Sequence, residues 1–261
     1  MKDNHMNMAT DTVTELAARL DSAEQDRIET NSLADDIDID VDAAYAIQEE
    51  LVARRCARGE NLVGVKLGFT SRAKMAQMGV SEIIVGRLTD AMEVAEGESV
   101  DLSRFIHPKI EPEIAYRISA DIDFDGPVPD IAAYVDAVAP AMEIIDSRYR
   151  DFRFTYTDVV ADNTSAAAYA IGRWRPLQDV SNRAVRLSTS GTVVEGSTNA
   201  VLDDPANAVR ELLEIARRRR IPLRAGYVVL AGAATAATPL TTGSVECEVE
   251  GLGTVSLKGI A

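Results

Sequence analysis

The stretch His107–Ile118, with the sequence HPKIEPEIAYRI, says most about how this chain folds. Its second half, Ile114–Ile118, predicts a strand that enters a core, and Glu111 and Glu113 stand just before it. Side chains at positions i and i+2 of an extended segment point the same way. Burying two carboxylates side by side is unfavourable unless a cation compensates them. The stretch therefore predicts either a metal site beside a buried strand or an exposed, solvated Glu-Pro-Glu turn.

A further acid favours the metal site. Glu143 lies inside an apolar segment, Ala141–Ile145, that predicts a buried strand, and a lone glutamate there needs a buried partner. Three carboxylates, completed by water and a chelating substrate, suit the octahedral coordination of Mg²⁺. Arg148 follows closely and is either a structural ion-pair partner of this cluster or a binder of a substrate carboxylate; we favour the structural role.

Four further sites carry candidate side chains. Lys66 lies in Leu62–Leu67, which reads as a buried strand, and a buried lysine pairs with an acid or serves chemistry. Lys109 flanks the acidic pair, where it either neutralises the carboxylates or binds substrate. Asp90 alone is weakly informative, because aspartates are common in surface loops. The polar loop 161–165 (ADNTS) is either a simple turn or a source of hydroxyl and amide contacts to a substrate carboxylate, with Ser165 as the candidate.

The segment before residue 61 predicts a small helical element. Apolar residues recur at helical spacing over residues 12–28, and again from Ala44 to Val52, with Gly59 as a natural stop. Residues 1–9 predict a frayed tail. We therefore divide the chain into an N-terminal helical element, 1–60, and a catalytic domain, 61–261.

Beyond residue 60, strands and hairpins dominate, without strict alternation of helix and strand. This pattern predicts an α+β fold with a mixed or mostly antiparallel sheet, not a doubly wound parallel one. Helices are predicted over 71–78, 130–138 and 206–219, the last opened by Pro205. Further strands are predicted over 166–171, 185–189, 192–195, 227–231, 245–249 and 255–257.

The composition limits the kind of protein and of metal. Hydrophobic residues make up 46% of the 261 residues, which is ample for a core. No apolar run approaches the roughly 18 residues of a membrane span, and the polar N-terminus does not resemble a secretory signal, so we expect a cytoplasmic protein. The two cysteines form no CxxC motif and are expected to be free thiols. With only two histidines, His5 and His107, any metal is expected to have oxygen ligands, which favours Mg²⁺ or Mn²⁺ over Zn²⁺.

The net charge of −15 argues against a nucleic-acid partner, because phosphate binding needs a basic surface. Only five of the 27 basic residues are lysines, which leaves 22 arginines. An acidic surface poor in lysine is typical of a protein that works in high salt, where screening removes the self-repulsion. The alternative is ordinary variation with a bias toward arginine.

Other chemistries find little support. A Ser-His-Asp triad would have to use His107, and the chain has no nucleophile-elbow motif. The sequence also lacks a P-loop and a dinucleotide-binding fingerprint.

From about Tyr45 to its C-terminus, the chain resembles the hydratase/decarboxylase branch of the fumarylacetoacetate hydrolase superfamily, enzymes of aromatic meta-cleavage catabolism. The resemblance rests on the motifs GVKLGFT (64–70), HPKIEPE (107–113), EIIDSR (143–148), VADNTS (160–165) and GLGTVS (251–256). It implies a mixed β-sandwich roll preceded by a small helical part. It further implies that Glu111, Glu113 and Glu143 hold Mg²⁺ or Mn²⁺, that Lys66 and Asp90 are active-site residues, and that the chain forms an oligomer, alone or with a hydratase homologue.

Two stretches, TSRAKMAQMGV (70–80) and DSRYRDFRF (146–154), resemble the decarboxylases of that branch more than its hydratases. The resemblance implies decarboxylation of a small 2-oxo acid, 2-oxo-3-hexenedioate, to 2-hydroxypenta-2,4-dienoate. The alternatives are a 2-oxopent-4-enoate hydratase, which adds water to that dienoate, and a non-catalytic subunit that supports a hydratase. The intact glutamate triad together with Lys66 argues against the non-catalytic subunit.

Overall fold

The structure is a computed structural model that describes residues 8–126 and 130–261. Most of the tail predicted over residues 1–9, including His5, lies outside the described residues. The helices are α1 Thr10–Asp26, α2 Val41–Ala57, α3 Arg72–Met78, α4 Tyr156–Ala161 and α5 Pro205–Arg219. The strands are β1 Leu62–Gly68, β2 Ile84–Thr89, β3 Ser99–Asp101, β4 Lys109–Ile118, β5 Val135–Ile145, β6 Ala166–Ile171, β7 Arg175–Pro176, β8 Ala184–Thr189, β9 Thr192–Ser197, β10 Val228–Ala233, β11 Thr238–Pro239, β12 Gly243–Val249 and β13 Gly253–Ile260.

The strands form two sheets that share one hydrophobic core. The larger sheet has the order β2-β1-β10-β4-β5-β6, with the short strands β11 and β7 added beside β4 and β5. The smaller sheet has the order β3-β13-β12-β8-β9. Parallel pairing occurs between β1 and β10 and between β13 and β3, and the other named pairs are antiparallel. The expected α+β fold with a mixed β-sandwich roll is confirmed.

The N-terminal helices occur close to the predicted positions. Helix α1 ends at Asp26, and α2 begins after Asp40, whose side chain accepts a hydrogen bond from the amide of Ala43. Their apolar faces join a second core cluster that includes Ile84 and Tyr149 from the remainder of the chain. Because these faces are covered within the chain, they do not by themselves indicate an oligomer. The division at residue 60 stays a prediction.

The predicted helix over residues 130–138 is wrong. Only a 3-10 turn, Ile131–Ala133, is helical there, and β5 begins at Val135. The alanines of this segment favour a helix locally, but β5 is a central strand that pairs with β4 on one side and with β6 and β7 on the other. The hydrogen bonds and side-chain packing of a central strand outweigh a weak local helix propensity.

The remaining predicted elements are confirmed with shifted ends. The hairpin of β8 and β9 turns at Gly191, whose φ of 126° favours glycine. Pro205 is the first residue of α5, and Asp204 caps that helix by accepting from the amide of Ala206. Within the described part of the chain, no helix is long and apolar enough to cross a bilayer.

Candidate metal centre and catalytic cavity

The register between β4 and β5 builds an acidic cluster. Glu111 lies directly opposite Glu143 across the two antiparallel strands, and Glu113 follows two residues later on the same face of β4. One carboxylate oxygen from each of the three residues lies within 4.8 Å of the others. Two of the three carboxylates are therefore brought together by the alternation of side chains along β4, and the third is added by the pairing of β4 with β5.

The cluster is largely withdrawn from solvent. The exposed fraction is 0% for Glu143 and 1% for Glu113, whereas Glu111 is half-buried. The amide of Gly232 donates to Oε2 of Glu113 at 2.8 Å, at an irregularity in the pairing of β10 with β4. Gly232 has a φ of 109°, and a Cβ at this position would stand 2.0 Å from Oγ1 of Thr70. A glycine is therefore needed to bring this amide to Glu113.

Lys66 supplies a buried cation to the cluster. Its Nζ lies 3.0 Å from Oε1 of Glu143 and donates a hydrogen bond to the backbone carbonyl of Thr164, also at 3.0 Å. Lys66 is only 3% exposed, because β1 is covered on this face. The sequence expectation that a buried lysine pairs with an acid is met by Glu143.

Burial and crowding perturb the acids. Burial, and then the charge of Glu143, raise the pKa of Glu113 well above its usual range. Burial also raises the pKa of Glu143, although Lys66 opposes the shift. For Lys66, burial alone would lower the pKa, but the charges of the three glutamates outweigh it and raise the pKa. Among the described residues, the negative charge of the three glutamates therefore exceeds the positive charge of Lys66.

The residues present fit a divalent cation. Both carboxylate oxygens of Glu143 are buried; Oε1 is paired with Lys66, whereas Oε2 has no hydrogen-bond partner among the described residues. Buried acceptors of this kind are costly unless something satisfies them. The available ligands are all carboxylate oxygens, which are the ligands that Mg²⁺ and Mn²⁺ prefer.

A cavity of about 660 Å³ lies beside the cluster. Its wall includes Lys66, Lys109 and Glu111, together with Thr164 and Ser165 of the polar loop. The two stretches that resemble decarboxylases both reach this wall, one through Ser71 and Ala73 and the other through Phe152 and Phe154. The rest of the wall is mostly apolar or small, with Leu67, Phe69, Ile84, Ile145, Val159 and Ala233 among its members.

Lys109 presents an ammonium group to the cavity wall. Its Nζ lies 3.8 Å from the centre of the Phe152 ring, an attractive cation–π arrangement. His107 also packs against Phe152, with 4.5 Å between the two ring centres. Lys109 forms no ion pair with a carboxylate among the described residues, so its charge is available to an anionic ligand.

Arg148 is structural, but its partner is not the glutamate cluster. Its Nε lies 2.6 Å from Oδ1 of Asp162, and both side chains are at most 2% exposed. Burial raises the pKa of Asp162 to about 7, against the opposing charge of Arg148. Ser165 lies beside this pair, and its hydroxyl donates to Oδ2 of Asp162 at 3.2 Å.

Asp90 is not brought to the cluster. It is exposed at the end of β2, and its carboxylate accepts hydrogen bonds from the backbone amide and the side-chain amide of Asn61. These bonds with Asn61 lower the pKa of Asp90. Asp90 is absent from the cavity wall, so its carboxylate serves a turn in this structure.

Sequence reasoning missed Asp162 and the aromatic wall. Asp162 directly follows the apolar run Val159–Ala161, and an acid in such a place was a signal of a buried partner. Phe152 and Phe154 alternate along their segment, which could have indicated one aromatic face. The sequence gives no signal for the role of the Thr164 carbonyl, because every residue has a backbone carbonyl.

Comparison with known proteins adds a second line of observation. No family model matches the chain. The chain is 47% identical over 247 residues to a 4-oxalocrotonate decarboxylase of Pseudomonas sp., covering 94% of this chain and 96% of the relative. It is 38% identical to a 2-keto-4-pentenoate hydratase of Paraburkholderia xenovorans, covering 84% of this chain and 83% of the relative.

A solved structure is similar over almost the whole chain. It is that of 4-oxalocrotonate decarboxylase from Pseudomonas putida G7 complexed with magnesium and adipate, with a TM-score of 0.92 and 37% identity. The match covers 97% of this chain and 99% of that structure.

Proposed function

Because this chain belongs to the family of 4-oxalocrotonate decarboxylases and 2-keto-4-pentenoate hydratases, in the fumarylacetoacetate hydrolase superfamily, we propose that it is a metal-dependent decarboxylase of 2-oxo-3-hexenedioate (4-oxalocrotonate). The product is 2-hydroxypenta-2,4-dienoate. The observation that carries the proposal is the cluster of three carboxylates with Lys66 beside one cavity, in a chain 47% identical to such a decarboxylase over 94% of its length.

In this proposal Glu111, Glu113 and Glu143 hold Mg²⁺ or Mn²⁺ at the cavity. The metal, when bound, supplies a Lewis acid to the 2-oxo acid end of the substrate. The three glutamates and Lys66 carry formal charges that sum to −2, which a divalent cation neutralises. This balance supports the ligand assignment.

Lys66 acts on the oxygen of the C2 carbonyl. As CO₂ leaves, the electron pair of the C5–C6 bond forms the C4–C5 double bond, the C3–C4 double bond moves to C2–C3, and negative charge collects on the C2 oxygen. A fixed ammonium group stabilises that charge more than it stabilises the neutral carbonyl, so it lowers the barrier. Lys66 is held for this task by Glu143 and the Thr164 carbonyl, and its proton can pass to the C2 oxygen to give the enol.

We assign substrate binding to Lys109 and Ser165, which both line the cavity. The substrate carries two carboxylates, and the only cations on the wall among the described residues are Lys66 and Lys109. The Lys109 ammonium group already makes a cation–π contact with the Phe152 ring, which weakens its attraction for a substrate carboxylate. A weak cation suits decarboxylation, because a tight ion pair with the departing carboxylate would stabilise the ground state and raise the barrier.

Hydration of 2-hydroxypenta-2,4-dienoate is the second candidate, since the chain is also 38% identical to a hydratase. Hydration needs a base that activates water near the terminal carbon, and the described cavity wall offers no histidine for it. The decarboxylase is therefore preferred.

One assay separates the two candidates. Purified protein with Mg²⁺ receives 2-oxo-3-hexenedioate or 2-hydroxypenta-2,4-dienoate in parallel, and CO₂ release and the ultraviolet absorbance of the dienoate are followed. We expect CO₂ from the first compound and no consumption of the second. Consumption of the second without CO₂ from the first would establish the hydratase and reject the decarboxylase.

The biological setting is a further proposal. We propose that the enzyme acts in aromatic meta-cleavage catabolism in the cytoplasm, as a homo-oligomer or together with a hydratase homologue that receives the unstable dienol. The two cysteines, Cys56 and Cys247, are free thiols, which is in keeping with a reducing compartment.

A further inference from the structure

The loop beside Lys66 has an unusual backbone. Asn163, Thr164 and Ser165 lie in succession in the left-handed region, with φ values of 47°, 53° and 58°. Non-glycine residues adopt this conformation singly and at an energetic cost, and a β-branched residue such as Thr164 does so rarely. Three in a row must be held by their surroundings.

Arg148 and Asp162 hold the loop at both of its ends. Arg148 donates to the carbonyl of Asp162 at 3.0 Å and to the carbonyl of Ala166 at 3.1 Å, so one guanidinium group binds the residues on either side of the turn. The same group donates to the carbonyl of Asp146 at 2.8 Å and contacts the Asp162 carboxylate at 2.6 Å. That carboxylate in turn accepts from the hydroxyl of Ser165.

The opposite side of the loop is fixed to β2. The side chain of Asn163 accepts from the amide of Arg87 at 2.7 Å and donates to the carbonyl of Arg87 at 2.9 Å. It thus satisfies both backbone groups of Arg87, as a neighbouring strand does in a sheet. Gly86 leaves the space that the loop occupies. A Cβ on Gly86 would stand 2.2 Å from Oγ1 of Thr164 and 2.7 Å from the carbonyl oxygen of Asn163.

The held turn directs the carbonyl of Thr164 to Nζ of Lys66. The structure assigns to Arg148 and Asp162 the role of positioning residues: they hold the left-handed turn Asn163–Ser165, whose Thr164 carbonyl keeps the Lys66 ammonium at the cavity. Without that acceptor, the ammonium loses one of its two fixed partners and is no longer held at the cavity. The inference rests on the catalytic role proposed above for Lys66.

The first test replaces Arg148 by lysine, which keeps the charge but cannot bind all four acceptors at once. We expect kcat for CO₂ release to fall at least 10-fold, with KM within 3-fold and with Mg²⁺ affinity, measured by calorimetry, unchanged. Arg117→Lys is the control, because Arg117 binds Asp136 through two hydrogen bonds and lies outside the cavity wall. The control should fold and keep wild-type kcat.

A second variant reaches the loop without altering the ion pair. A Cβ at residue 86 would displace Thr164 and Asn163 and would also stand 3.0 Å from Cδ of Lys66, so Gly86→Ala should lower kcat, with Mg²⁺ affinity unchanged. Because of the contact with Lys66, the decisive result for this variant is an unchanged kcat, which would reject the positioning role. Thr164→Gly keeps the carbonyl and removes the cost of the left-handed backbone, so combined with Arg148→Lys it should restore part of the lost kcat.

The outcomes are distinct. If Arg148→Lys folds and keeps kcat within 3-fold of wild type, the positioning role is wrong; if it does not fold, a folded Gly86→Ala variant with wild-type kcat rejects it instead. A loss of Mg²⁺ affinity equal to the loss of kcat would also reject it, since the pair would then act on the metal site. A wild-type protein that releases no CO₂ would reject the proposed decarboxylation, and the same variants would then be measured in the hydration assay.

Discussion

Replacing Glu113 by glutamine tests the metal centre most directly. The side chains of Glu113 and Glu143 are both buried and have carboxylate oxygens within 4.8 Å of each other. At an effective dielectric constant near 20, two ionised carboxylates at that distance repel each other by about 3.5 kcal/mol. Glutamine removes this repulsion, while its amide oxygen can still accept from Gly232. We therefore expect the metal-free variant to melt at the wild-type temperature or above it.

Although the substitution should not lower the stability of the metal-free protein, it should weaken Mg²⁺ binding. The site loses one of three charged ligands, and its formal charge with Lys66 changes from −2 to −1. Since changes in the groups that merely support metal ligands cost about 10–100-fold in affinity, loss of a ligand should cost about 100-fold or more. Activity should fall with it. Because the pKa of Glu113 is raised, protons compete with the metal for this carboxylate as the pH falls, so Mg²⁺ affinity should rise with pH, and less so in the variant.

Calorimetric titration with Mg²⁺, thermal unfolding without metal and CO₂ release together measure these effects. Glu195→Gln is the control, because it removes the same charge from an exposed position on the smaller sheet. Wild-type Mg²⁺ affinity in Glu113→Gln would refute the metal assignment. A large drop in melting temperature without metal would refute the argument from relieved repulsion.

Four other predictions can be checked separately. Asp90→Asn should leave kcat within about 3-fold of wild type, because Asp90 is exposed and bonded to Asn61; a large loss of kcat with an unchanged fold would restore the catalytic role that the resemblance implied. Lys109→Met should raise KM by about 10-fold with little change in kcat, as expected for loss of one charged hydrogen bond, and Lys109→Arg should restore most of it. With a net charge of −15, the melting temperature should rise as KCl increases from dilute to molar concentration, because salt screens the self-repulsion. A melting temperature that stays flat or falls would reject adaptation to high salt and favour ordinary variation with a bias toward arginine. Light scattering should show an oligomer at micromolar concentration, and a monomer would contradict the assembly we propose.

Local patterns in the sequence were sufficient for several parts of this site. Alternation along an extended segment is a property of the backbone itself, so the spacing of Glu111 and Glu113 is enough to place both side chains on one face. A lone charge among apolar neighbours, as at Glu143 and Lys66, required a buried partner on energetic grounds alone. The fold class followed from the density of strand and hairpin patterns in the second half of the chain.

Other features depend on pairing between distant segments, which no local pattern specifies. The register that sets Glu143 opposite Glu111 comes from the whole β4–β5 ladder, and the same ladder overrides the helical preference of residues 130–138. Only the folded chain brings Arg148 to Asp162 rather than to the glutamates, and leaves Asp90 at the surface. The turn that presents the Thr164 carbonyl to Lys66 runs against local backbone preference, so only the surrounding tertiary contacts could decide it.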